Sequence, residues 1–231
     1  MFQWVILILS LILLLIIRKQ KDEIIVARFN EDLTWLDKYR GEYDVTVYNK
    51  GPNEIKGAVK LPNVGNESHT YLWHIVNRYD TLAPRTVFLV GSSEKISWKK
   101  EKLDSLMKYI KTHNKSEFTS SCRNVSNLKI AEEGFQIDEY EKTSDENKNV
   151  LNDKKLQPSP ERPFGKWYET NFGDYVCPYV CYNSIFAVTR EDIRRKPKSY
   201  YKNLLDKYLS ASMHPEAVHY IERAWYAVFY S

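Results

Sequence analysis

The sequence is poor in cysteine, with only Cys122, Cys177 and Cys181 in 231 residues. An odd count does not build a secreted disulfide framework. The run CPYVC has the wrong spacing for a C-x-x-C redox or zinc motif, and no second pair completes four ligands. Its two cysteines read as small buried residues. Excess charge is missing too. A net charge of +4, with no basic stripe interleaved with aromatics, argues against nucleic acid as a partner. Glycine-rich phosphate loops of the G-x-G-x-x-G or Walker type are absent, which disfavours a Rossmann dehydrogenase or a P-loop NTPase. His69 and His74 lie five residues apart rather than four, so they do not form an H-x-x-x-H metal pair. No metal ligands are assigned, and no internal repeat is visible.

What is present is enough to build a core. Hydrophobic residues make up 43% of the chain and aromatics 14%, including 17 tyrosines and 6 tryptophans. Most of these aromatics belong inside, and exposed ones line carbohydrate and nucleotide sites. Residues 1–17, MFQWVILILSLILLLII, are apolar apart from Gln3 and Ser10. As a helix they run roughly 25 Å, close to a hydrocarbon core. A signal peptide needs a positive n-region and a small-residue cleavage site, and neither is present. Residues 1–21 therefore read as a transmembrane anchor with a basic flank, and 22–231 as a single domain. Arg18, Lys19 and Lys21 follow the apolar run, so the positive-inside bias places that domain on the cytoplasmic side of a single-pass membrane protein. The odd cysteine count agrees. Three sequons, at Asn66, Asn114 and Asn124, argue weakly the other way.

Along the domain, EIIVARF reads as a strand and NEDLTWLDKY as a short helix capped by Asn30 or Asp32. YDVTVYN is a second strand, LPNVGNESHTYLWHIVNRY supplies a helix, and RTVFLVG is a third strand. That alternation predicts an α/β fold with a mostly parallel, mixed sheet flanked by helices. EKLDSLMKYIKTH is a further helix. Residues 112–165 form a long polar excursion with EGFQI as a short strand. After it come a strand and helix start in YNSIFAVTREDIRRKP, then helices KSYYKNLLDKYLS and AVHYIERAWYAVF. The last is aromatic on several faces and belongs inside.

Ligands of open parallel sheets bind at the carboxyl ends of the strands. Here that rule gathers Arg28, Asn30 and Asp32 after the first strand, Asn49 and Lys50 after the second, and Gly91 after the third. Cations, amides and a carboxylate suit a phosphorylated, hydroxyl-rich ligand; ordinary capping and turn chemistry explains any one of them as well. On the helix after the second strand, Glu67, Tyr71, His74 and Arg78 fall on one face. That stripe either lines the crevice or sits in solvent. Glu67 lies in the first turn, where the helix dipole favours a carboxylate. Asn63 and Gly65 bring backbone to the helix start. Near the C terminus, Glu222 and Arg223 stand together in an aromatic helix. They read either as a general base with its cation or as a structural pair.

Taken in order, VARFNEDLTWL, VTVYNKG, LPNVGNESHTYLWHIVNRYDTLAPRTVFLVG, FAVTREDIRRKPKSYYKNLL and HYIERAW resemble the family called domain of unknown function 3431, over roughly residues 24–230. Through that family the chain resembles glycosyltransferases of the GT-A fold. The resemblance implies a nucleotide-sugar donor at the ends of the first strands and a glycan acceptor. It also implies a catalytic glutamate at Glu222, with Glu216 as second choice. The chain departs from the pattern in having Val90 where a glutamine precedes the glycine, and no Asp-x-Asp follows the third strand. The second departure implies transfer that does not require a divalent metal. The expected function is thus an inverting, membrane-anchored glycosyltransferase with Glu222 or Glu67 as base. The alternative is a non-catalytic, membrane-anchored module of the same fold that binds glycans or a partner.

Overall fold

The computed structural model describes residues 20–113, 118–120, 122–138, 156–182 and 184–231. A six-stranded mixed sheet has the order β3-β2-β1-β4-β8-β5. Its strands are β1 (Glu23–Arg28), β2 (Asp44–Asn49), β3 (Val59–Lys60), β4 (Arg85–Val90), β5 (Thr119–Ser120) and β8 (Phe186–Thr189). β1 pairs in parallel with β2 and β4, and β2 with β3, whereas β8 runs antiparallel to β4 and β5. A second, two-stranded sheet joins β6 (Arg123–Asn124) to β7 (Tyr179–Val180).

Both faces of β1 are buried, which explains why EIIVAR is nearly continuously apolar. Ile25 and Ala27 point to one core, Ile24 and Val26 to the other. The first core is covered by helices α1 (Asn66–Arg78), α4 (Phe164–Phe172), α6 (Lys198–Tyr208) and α7 (Ala217–Tyr230). The second is covered by α2 (Ser97–Thr112) and by a 3-10 helix at Thr34–Tyr39. Short helices α3 (Leu128–Ala131) and α5 (Arg190–Ile193) complete the set. Helix α7 buries Ile221, Ala224, Trp225, Val228 and Phe229 completely, as its apolar composition demands.

Three expectations are corrected. The membrane-spanning helix expected at residues 1–17 falls outside the described residues, and among the described residues no helix is long and apolar enough to cross a membrane. The described residues form a mixed α/β sheet with helices, and they give the expected transmembrane element and single-pass membrane placement no support. The cysteines differ as well: Cys122 and Cys181 form a disulfide, leaving only Cys177 as a buried thiol. The odd count therefore hid one bridge, and disulfides persist in oxidising surroundings, against the cytoplasmic side that the flanking charges indicated. Finally, EGFQI is not a strand. Phe135 instead packs under Arg223 and hands its carbonyl to the Phe164 amide. Within the polar excursion, residues 139–155 lie outside the described ones.

Candidate functional site

The sheet topology places the carboxyl ends of β1, β2 and β4 on one edge. Register fixes the alignment, since Arg28 faces Asn49 and Ala27 faces Val90. Helix α1 runs back against the strands, so its first turn lies at this edge and its later turns do not. β8 is antiparallel, which brings the segment before it, including Ser184, to the same edge.

Arg28, Asn30 and Asn49 are tied to one another there. Arg28 donates through Nε to the Glu31 carbonyl (2.9 Å) and through Nη1 to Asn49 Oδ1 (2.9 Å). Asn49 Oδ1 also accepts from the Gly51 amide (3.1 Å), and its amide donates to the Asn53 carbonyl. Asn53 in turn donates to Asn30 Oδ1 (3.1 Å). Arg28 and Asn49 are buried. This network locks the strand ends together and spends the polar groups expected to meet a donor. Asp32 is exposed and closes its own turn through Thr34, with Oδ2 accepting from Thr34 Oγ1 at 2.6 Å. A Cβ at Gly91 would stand 2.6 Å from Glu31 Oε2, so a side chain there would displace the Glu31 carboxylate. The Glu31 carboxylate, buried at 6% exposure, accepts from the Phe29 (2.8 Å) and Asn30 (3.1 Å) amides.

The helix stripe separates along its length. Glu67 is half-buried at the crevice edge, and Ser184 Oγ donates to its Oε1 at 2.9 Å. Tyr71 is not a surface residue. Its ring is fully buried against Phe88 and Phe186, and its hydroxyl donates to the Ser184 carbonyl (2.9 Å). His74 sits near the opposite edge of the sheet, between the Tyr48 hydroxyl (2.9 Å) and Glu23 Oε1 (3.1 Å). Thr86 Oγ1 donates to the same Glu23 oxygen at 2.9 Å. Burial pushes the Glu23 carboxyl up, but the His74 and Thr86 hydrogen bonds outweigh it and hold the group below its usual value. Arg78 is exposed. A 3.6-residue period predicts which residues share a face, but not that the sheet covers that face beyond its first turn.

Gly65 begins α1 in the left-handed conformation, at φ 57°, with its amide donating to the Ser212 carbonyl (2.9 Å). Asn63 reaches Met213 Sδ at 3.5 Å, so both residues dock the helix start onto the loop before α7. Lys50 Nζ donates to the carbonyls of Val64 and Asn66. Burial pulls its pKa down to about 7 against the attraction of Glu67. His69, one turn into α1, is buried beside that cation. Burial, reinforced by Lys50, pushes its pKa down to about 4. Its Nδ1 has no hydrogen-bond partner among the described residues.

Glu222 is half-buried on α7. Arg223, its neighbour, reaches Glu132. Arg223 Nε donates to Glu132 Oε2 (3.0 Å), and its guanidinium lies 3.4 Å from the Phe135 ring centroid. Glu216 is fully buried and structural. It accepts from the Ile137 (3.1 Å) and Ser159 (2.9 Å) amides and from Tyr220 Oη (2.8 Å), and it pairs with Arg162 (3.2 Å). It ties segments of the polar excursion on either side of residues 139–155 to the start of α7.

Lys99, which sequence reasoning overlooked, extends from the first turn of α2. It is 8% exposed, and its Nζ donates to Ser92 Oγ at 2.9 Å. Burial lowers its pKa, while the charges of Glu67, Glu31 and Glu222 act to raise it. Glu222 also acts on Lys102, one turn further along α2. The charges of three carboxylates from three elements thus act on one cation. The arrangement offers carboxylates whose charge reaches two ammonium groups, with the buried Ser92 and Ser184 nearby. Among the described residues, no group of three or more His, Cys, Asp or Glu side chains is placed to hold a metal ion.

Residues 24–231 match the family described as Protein of unknown function (DUF3431). The chain belongs to this family. No curated protein and no solved structure matches it. For this DUF3431 member, Lys99, Lys102, Glu31 and Ser184 join Glu67 and Glu222 as candidate site residues. A signal for the lysines was present in the sequence: Lys99 and Lys102 are three apart at the start of a helix that follows a parallel strand.

Proposed function

We propose that this protein transfers a sugar from a nucleotide-sugar donor to a hydroxyl of a glycan acceptor, with inversion. The observations that support the reading are that Lys99 Nζ donates to Ser92 Oγ just beyond the carboxyl end of β4, that Ser184 Oγ donates to Glu67, and that the charges of Glu67 and Glu222 act on Lys99. Glu222 takes the proton of the acceptor hydroxyl. The freed oxygen attacks the anomeric carbon as the bond to the donor's diphosphate breaks, and the electron pair leaves on the diphosphate oxygen. Lys99 and Lys102 neutralise that departing charge. Glu67 already accepts from Ser184, which suits it to orienting a sugar hydroxyl rather than cycling a proton. The lysines take the place that a divalent metal holds in many such enzymes, so transfer without added metal is part of the proposal.

The test is a screen of the full chain against UDP-, GDP- and ADP-sugars, reading release of nucleoside diphosphate with and without EDTA. Release that survives EDTA supports the reading. Release abolished by EDTA overturns the metal-independent part, and no release from any donor with mixed glycan acceptors overturns the transferase.

A further inference from the structure

Asn124 and Ser126, the polar residues of the sequon Asn124-Val125-Ser126, are both exposed, while Val125 between them packs against the first core. Asn124 ends β6 opposite Tyr179 of β7, and Ser126 follows in a bend. In extended backbone, residues two apart share a face, which turns the amide and the hydroxyl to solvent together. The backbone beneath them is held. The Val125 amide donates to the Pro178 carbonyl (2.9 Å), and the Leu128 amide donates to the Cys177 carbonyl (2.8 Å). The Cys122–Cys181 bridge closes the same two-stranded sheet, two residues from Asn124.

The sequon at Asn66 is built differently. Asn66 opens α1, its carbonyl accepts from Lys50 Nζ, and Ser68, the last residue of that triplet, is completely buried. On a helix, residues two apart do not face each other. The sequon at Asn114 lies outside the described residues. Two further observations bear on Asn124. A disulfide forms in the oxidising compartments where chains are also glycosylated. Ile130 (69% exposed) and Val176 (58% exposed) are apolar side chains left in solvent, on the segments that the Leu128–Cys177 bond joins. A bulky hydrophilic group anchored beside them shields that surface.

We propose that Asn124 is a modification site that carries an N-linked oligosaccharide. The Asn124 side-chain nitrogen attacks the anomeric carbon of a lipid-linked oligosaccharide diphosphate. The carbon–nitrogen bond forms as the bond to the diphosphate oxygen breaks. The electron pair leaves on the lipid diphosphate, and the amide nitrogen gives up one proton to the glycosylating enzyme. Ser126 supplies the hydroxyl that such an enzyme reads together with the amide. The site is independent of the transferase reading, since here the chain is the acceptor and not the catalyst.

The experiment is translation of the full chain with endoplasmic-reticulum microsomes, followed by gel mobility with and without peptide N-glycosidase. A shift that the glycosidase reverses is expected. Asn124→Gln and Ser126→Ala each remove one mobility step, whereas Ser126→Thr keeps it. Substitutions at these exposed positions cost little stability, so the loss is not a folding defect. Peptide mapping after the glycosidase finds the Asn124 amide converted to a carboxylate, the trace that the enzyme leaves where a glycan stood. No shift in the wild-type chain overturns the site. A shift that survives in full in Asn124→Gln overturns it too, as does an unmodified Asn124 in a chain glycosylated elsewhere.

Discussion

Ser184 Oγ donates a 2.9 Å hydrogen bond to Glu67 Oε1 across 117 residues of sequence, and Trp225 Nε1 lies 3.4 Å from the same hydroxyl. The carboxylate at the mouth of α1 is thereby fixed by the segment entering the antiparallel strand. Ser184→Ala removes the link without changing volume much. Turnover is expected to fall about 10-fold through a mispositioned carboxylate, with the melting temperature little altered. Parallel measurement of kcat and thermal unfolding checks this, and a large loss of stability with full activity per folded molecule would contradict it.

Glu216 carries the opposite expectation. With its carboxylate fully buried and accepting from two backbone amides, Tyr220 and Arg162, its replacement leaves several donors unpaired. Glu216→Ala is expected to cost on the order of 3 kcal/mol of stability. Urea unfolding measures it. Native stability in this variant with lost turnover would return Glu216 to a catalytic role.

Gly65 is predicted to resist substitution. Its φ of 57° is in the left-handed region, and a Cβ there would meet the Leu209 carbonyl oxygen at 2.5 Å. Backbone cannot yield as a flexible side chain can. Gly65→Ala is expected to destabilise by about 2–4 kcal/mol, read from the shift in denaturation midpoint.

His69 predicts an acid-sensitive window. Its folded pKa of about 4 lies below the unfolded value of 6.5. The unfolded chain therefore binds the proton first, and stability falls as pH drops from 6.5 towards 4, by about 3 kcal/mol in all. Lys50 acts at higher pH. Its folded pKa of about 7 lies below 10.5, so deprotonation removes a buried charge and stability rises with pH between those values. Unfolding free energies of wild type and His69→Asn across pH 4–7 test the first claim, and the variant is expected to lose most of the acid slope.

The thiol count is a further check. Under denaturing, non-reducing conditions one thiol of three is expected to react, from Cys177, and all three after reduction. In the folded protein Cys177 should be inert, since burial raises its pKa to about 11. Three reactive thiols before reduction would remove the Cys122–Cys181 bridge.

Local pattern was legible where burial is simple. The three parallel strands, the crossover helix and the aromatic C-terminal helix follow from apolar runs and periodicity. Pairing between distant residues was not legible. Nothing local to Arg28 shows that it bonds Asn49, nor does the sequence around Arg223 reveal that it reaches Glu132. The disulfide was missed because Cys122 lies 59 residues from Cys181, across the polar excursion. Capping and turn chemistry claimed Asp32, while Glu31, the residue before it, is the buried carboxylate held by the Phe29 and Asn30 amides. Strand-end rules locate the edge on which a site is built, and tertiary hydrogen bonds decide which side chains remain available there.

The central claim is that Glu222 removes the acceptor proton beside Lys99. The most direct measurement is the rate of sugar transfer by Glu222→Gln, using the donor and acceptor that the wild-type chain turns over. The account predicts a loss of about 1,000-fold or more in kcat, with donor affinity and melting temperature retained. Wild-type kcat in a folded Glu222→Gln would contradict it.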